Sequence, residues 1–223
     1  RQASDSNNEQ KYLFLAMKDS RTEKGWTVGA LSVLCRLAEL NIDNPEGLRY
    51  ALLARELSEK FDEDSSSLIE LDLPDEYNWL YPMFPWRVYN CLGQIYLKTD
   101  KKRALENFQK ALFVNSGRHV YETIVPLLES ANTLLELGQK KQAIEELEAV
   151  ALKLSIRKDT GENTIGDNYQ AFAEIIDWFR SHKFPDYAKK TALLAREYRA
   201  NNKVKAHQFE NLKRSVKSVG VEI

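Results

Sequence analysis

One side-chain position recurs down this chain and limits what it can fold into. Ala16, Ala54, Gly93, Ala131 and, less faithfully, Ile176 follow one another at intervals of 38, 39, 38 and 45 residues. Each sits inside a stretch whose apolar residues return every three or four positions, the period of a helix with one buried face. The stretches YLFLAMKD, VGALSVLCRLAEL, EGLRYALLARELSEKF, RVYNCLGQIYLK, KRALENFQKALF, YETIVPLLESANTLLEL, KQAIEELEAVALKL, YQAFAEIIDWFRSH, YAKKTALLAREYRA and FENLKRSV all read this way. Between them lie NIDNP, KTDK, NSG, LGQK and RKDTGENTIGDN, which have turn and cap compositions; the last reads as a long linker. Sustained alternation of β-branched residues is absent, so the fold class is all-α. A period near 40 residues means that each helical pair buries its apolar face against its neighbours in an array.

The motif itself is clearest after residue 85. Tyr89, Leu92, Gly93 and Tyr96, then Ala104, Phe108 and Ala111, follow the pattern aromatic-x2-Leu-Gly-x2-Tyr, Ala-x3-Phe. The same frame continues in Leu127, Ser130, Ala131 and Leu134 with Gly138, Ala143 and Leu147, and in Phe172, Ile175, Ile176 and Phe179 with Ala188, Ala192 and Ala195. Tyr50, Leu53, Ala54 and Leu57 match the first-helix half, and Leu15, Ala16 and Ala30 match more loosely. This resembles the tetratricopeptide repeat family over about residues 10–200, most clearly over 86–150. The resemblance implies a right-handed α-α superhelix, a solenoid of about five helical hairpins plus a capping helix. On that reading residues 1–8 are a disordered N-terminal segment, 9–203 the repeat domain, and 204–223 the capping helix and tail. The KTDK turn is one residue shorter than the family's form, and Ser116 replaces the proline that usually closes a repeat.

An irregular aromatic and acidic insert, about 62–85, occupies the place of one second helix. Pro74 and Pro82 interrupt it, whereas Pro85 suits a first helical turn and lets Trp86 open the next helix. Within WLYPMFPW, the side chains Trp79, Tyr81, Phe84 and Trp86 read in two ways. They plug the gap left by the degenerate helix, or they form an exposed aromatic patch that anchors a partner. The plug is the simpler reading.

Charge and cysteine content exclude several classes. With 32 basic and 33 acidic residues the net charge is -1, so the chain as a whole is no polyanion binder. The basic run from Lys189 to Lys217 carries nine cations against Glu197 and Glu210, and it reads as a polar cap or, alternatively, as a nucleic-acid face. Cys35 and Cys91 are too few for a disulfide framework and lie in apolar helical runs, so they are read as buried thiols. Absence of a long apolar stretch and of a signal-like opening points to a cytoplasmic chain without a membrane span. The sequence opens at Arg1 rather than Met, which leaves open a trimmed form or a piece of a longer protein.

Catalytic constellations are not evident. His119, His182 and His207 are scattered without metal-ligand spacing, and Gly161 and Gly166 lack the Lys-Ser/Thr of a phosphate loop. No metal and no cofactor is expected, and the chain is read as non-catalytic. The repeat frame directs attention to the concave face, where Arg55, Arg87, Asn90, Gln94, Asn132 and Asp177 are the candidate groove residues. They resemble an amide-lined groove that holds an extended peptide by its main chain, without the lysines of the carboxylate clamp found in chaperone-binding members. The expected function is therefore a scaffold or adaptor for a protein or peptide partner. The alternatives are an accessory helical-repeat module of a larger enzyme, such as a glycosyltransferase, and a nucleic-acid scaffold using the basic C-terminal helices.

Overall fold

The computed structural model describes residues 11–15, 21–22, 25–26, 28–63, 85–114, 120–158, 162–202 and 210–222. These form α1 (residues 11–15), β1 (Arg21–Thr22), β2 (Gly25–Trp26), α2 (Val28–Leu40), α3 (Pro45–Glu63), α4 (Pro85–Tyr96), α5 (Lys101–Val114), α6 (Val120–Glu136), α7 (Lys140–Ser155), α8 (Glu162–Ser181), α9 (Pro185–Asn201) and α10 (Glu210–Lys217). The all-α expectation holds, apart from a minimal antiparallel pairing in which Arg21 faces Trp26 and Thr22 faces Gly25. Most of the insert, residues 64–84, lies outside the described residues, as do residues 1–10 and Ala16.

The sequence reading takes 9–203 as one array, whereas the contacts divide the chain into two compact units, residues 1–114 and 115–223. In the first, α2 packs on α3 and α4, α3 on α4, and α4 on α5. Helical spacing lines up Ala30, Leu34 and Ala38 of α2 with Ala51 and Ala54 of α3 and Val88 and Leu92 of α4 in a common apolar cluster. Asn44 starts α3 by accepting the Glu46 N–H at 2.7 Å, with Pro45 in the first turn where its missing donor costs nothing. Asp100 does the same for α5, accepting from Arg103 N at 3.1 Å, which explains how the short KTDK turn restarts a helix without glycine.

The second unit stacks two hairpins and a further helix. α6 packs on α7 and on α8, α8 on α9 and on α10, and α7 on α9. Asn202 Nδ2 donates to Arg157 O at 3.1 Å and Lys190 reaches Glu148 at 2.6 Å, so 157 lies beside 202 and 148 beside 190, and α7 and α9 run parallel. α10 likewise runs parallel to α8, through Asn211 to Gln170 at 2.9 Å and Ser215 to Asp177 at 3.0 Å. First helices thus lie against first helices and second against second, as stacking of like hairpins requires.

Helices α6, α8 and α10 end in the same way. Gly138, Lys183 and Gly220 have φ of 78°, 63° and 75°. Their N–H groups donate to Leu135, Arg180 and Lys217. The next residues, Gln139, Phe184 and Val221, reach back to Leu134, Phe179 and Val216 at 2.8, 2.8 and 3.3 Å. This is the Schellman arrangement, with the left-handed residue that reverses the chain. α10 nevertheless departs at one place. Counting back from its turn, Lys213 holds the position of Ala131 and Ile176, and it is exposed where those two are fully buried. α10 thus carries an exposed charge at the place where α6 and α8 bury an apolar side chain.

Three local expectations change. The long linker is shorter than expected, because α8 begins at Glu162: Ile165, Asn168, Tyr169 and Phe172 are buried at helical spacing and carry Gly166 into the helix. In the loosest of the motif matches Leu15 is 52% exposed, whereas Ala30 is fully buried in the apolar cluster. Tyr50 and Leu53 are only half-buried, in contrast to Ala54.

The small position is explained most directly at Gly93. A Cβ there would overlap the ring of Phe108, itself fully buried, so the helices of this pair approach too closely for any side chain. Gly93→Ala gains about 1 kcal/mol of helix propensity but forces the ring to move, and a net loss of about 1–3 kcal/mol is expected in urea unfolding. Adding Phe108→Leu should recover part of it. At the α8 turn, Lys183 holds a conformation that L-residues pay for, and Lys183→Gly should raise stability by about 0.5–1 kcal/mol in the same assay.

Candidate functional site

The six candidate groove residues fall four in the first unit and two in the second. Arg55 of α3 is exposed and lies 3.8 Å from Glu59 one turn along. Glu59 also accepts from Tyr89 Oη at 3.3 Å and lies 3.8 Å from Lys110, whose ammonium sits 4.4 Å from the Tyr89 ring centre. This carboxylate therefore joins α3, α4 and α5, which the sequence frame does not anticipate.

Arg87, at the start of α4, is engaged rather than free. Its Nε and Nη2 donate to the two oxygens of Glu39 on α2 at 2.6 and 2.8 Å, the forked geometry that planar guanidinium favours. Hydrogen bonding to Glu39 holds the Arg87 proton more firmly than usual. Asn90 is 91% buried (9% exposed), its Oδ1 without a hydrogen-bond partner, and Gln94 next along the helix is half-buried.

Asn132 and Asp177 both follow directly on the small position of a first helix, and both are engaged sideways. Asn132 Oδ1 accepts from Trp178 Nε1 at 2.7 Å, and Asp177 Oδ2 accepts from Ser215 Oγ at 3.0 Å. In each case the donor stands one place later in the frame of the next helix. These two side chains thus hold α6 to α8 and α8 to α10 in one repeated register. Trp178 is the residue the sequence reading misses: it stacks on His182 at 4.2 Å, contacts Phe179 and Phe184, and is 6% exposed. The signal available was the run IIDWF, whose apolar width exceeds one helix face. His182 ends α8, with Nδ1 2.8 Å from the Trp178 carbonyl; His119 and His207 lie outside the described residues.

Of the aromatic patch, Trp79, Tyr81 and Phe84 lie outside the described residues. Trp86 does stand in the first turn of α4, partly buried against the apolar cluster of the first unit, with a buried Nε1 that has no partner. Around it α2 contacts α4 directly. The gap that the plug would fill, like the other three aromatic side chains, lies outside the described residues.

On α10, Lys213, Arg214 and Lys217 of the basic run are exposed, at a helix C-terminus where the macrodipole draws cations in any case. Among the described residues, no helix is long and apolar enough to cross a membrane and no group of three His, Cys, Asp or Glu side chains is placed to hold a metal. Compared with known proteins, the chain matches no family model, no curated protein and no solved structure.

Cys35 and Cys91 are free thiols, each 1% exposed, as their apolar settings suggest. Burial pushes both up, Cys91 from 9.0 to about 12. The folded values lie above the unfolded ones, so the protonated thiols support the fold fully below about pH 9, and that support is lost as pH rises from there toward 12. For Cys91 the loss reaches about 2 kcal/mol by about pH 10.5. Urea midpoints measured under reducing conditions should fall over this range less steeply in Cys91→Ala than in the parent.

Proposed function

We propose that the chain is a non-catalytic scaffold that binds a protein or peptide, and that it belongs with the tetratricopeptide-like helical arrays. The observation that carries this reading is the second unit, where hairpins α6–α7 and α8–α9 stack in parallel layers in one register. Such stacking produces extended surfaces rather than an enclosed reaction site. On this reading the hairpins form a right-handed superhelix with a concave groove, and the surface side chains still available to a ligand are fewer than the sequence alone suggests. Asn132, Asp177 and Arg87 already serve helix packing. Arg55 and Gln94 remain the side chains of choice, because both are accessible on neighbouring helices α3 and α4. With Arg87 neutralised by Glu39, the ligand this face suits is read by its main chain rather than by a terminal carboxylate.

The test is affinity capture from a lysate of the source organism, using the parent chain beside Arg55→Ala with Gln94→Ala. A partner retained by the parent and lost by a variant of unchanged helicity and melting temperature is the expected result. Equal capture by both, or none by either, would contradict the groove reading.

A further inference from the structure

The chain has only two cysteines, 56 positions apart in sequence, and the fold brings both into one apolar cluster of the first unit. Cys35 is on α2 and Cys91 on α4, two helices that pack on each other. Their positions are tied further by the Arg87–Glu39 pair. Cys35 precedes Glu39 by one helical turn on the same face of α2, and Cys91 follows Arg87 by one turn on the same face of α4. One turn from that pair leads N-ward on α2 and C-ward on α4, but the helix ends set the thiols level: Cys35 stands five residues before Leu40, Cys91 five before Tyr96, and Lys98 pairs with Asp43 just past those ends of the parallel helices.

We propose that Cys35 and Cys91 form a reversible disulfide that staples α2 to α4, making the first unit sensitive to redox conditions. The reaction needs a small-molecule disulfide such as oxidised glutathione. One cysteine thiolate attacks it, forming a mixed disulfide and releasing one glutathione thiolate. The second cysteine then attacks the mixed disulfide and releases the other, and the two protons lost by the cysteines pass to the two glutathiones. Electrostatics agree with the proximity: after burial, the neighbouring Cys91 is the largest influence that raises Cys35, and both thiols feel Glu39 and Arg87. The raised values also mean that exchange in the folded chain is slow and passes through local opening, so the staple responds to sustained rather than brief oxidation.

Equilibrium, not rate, is the appropriate test. The full chain is equilibrated in reduced and oxidised glutathione, once in native buffer and once in concentrated urea, then acid-quenched and weighed. An intramolecular disulfide lowers the mass by about 2 Da and removes both alkylatable thiols. Because only one such bond is possible, its equilibrium constant gives the effective concentration of one thiol at the other in each state. A folded value at least about ten times the unfolded one is expected if the helices hold the thiols within bonding distance. A folded value equal to or below the unfolded one would overturn the proposal. So would oxidation that yields only glutathione adducts or cross-linked dimers.

Discussion

Helices joined by a turn of three or four residues can share a buried face only if little stands between them at the crossing. The fold depends on that constraint. At Gly93 it is absolute, since the Phe108 ring occupies the space of a Cβ; at Ala54 and Ala131 a methyl group is tolerated and fully buried. Ile176 shows the limit of the rule. It is buried as completely as the alanines, on a helix that packs on α9, whose core side chains Ala188, Ala192 and Ala195 are themselves small. Volume is conserved across the hairpin while the residue types exchange sides.

Apolar packing alone would let neighbouring hairpins slide, because it has no direction. Polar side chains supply the register. Asn132 with Trp178 and Asp177 with Ser215 repeat one bond in one frame, and Arg87 with Glu39 joins α4 to α2 by a different route. The buried donors Trp178 and Ser215 would be costly to leave unpaired, so a shifted register is penalised as well as the native one favoured. For the proposed scaffold role, side chains that look available from sequence are in part consumed by the architecture, which turns the proposal toward Arg55 and Gln94 on α3 and α4.

Much of this was legible beforehand. Helices α2, α5, α6, α7 and α9 follow their apolar periodicity to within two residues, and Pro85 marks the start of α4 as its fixed φ requires. The start of α8 was not legible, because Gly161 and Gly166 look like loop residues until Ile165, Asn168 and Tyr169 are seen to be buried on one face. Nor was the fate of Arg87 or Asn132. Periodicity tells which face of a helix a residue occupies, but their partners Glu39 and Trp178 lie 48 and 46 positions away. Pairing at that distance is set by how hairpins stack, which no local pattern encodes. The convergence of Cys35 and Cys91 was hidden for the same reason.

The measurement that bears most directly on this account is solvent exchange of the Trp178 indole proton, followed by NMR in the parent chain and in Asn132→Ala. If hairpins are held in register by side chains of one first helix bonding the next, the parent indole exchanges slowly and the variant exchanges markedly faster at unchanged helicity. An indole proton that exchanges in the parent as fast as in free tryptophan would mean that the α6–α8 tie does not exist in solution, and the stacked register would have to be abandoned.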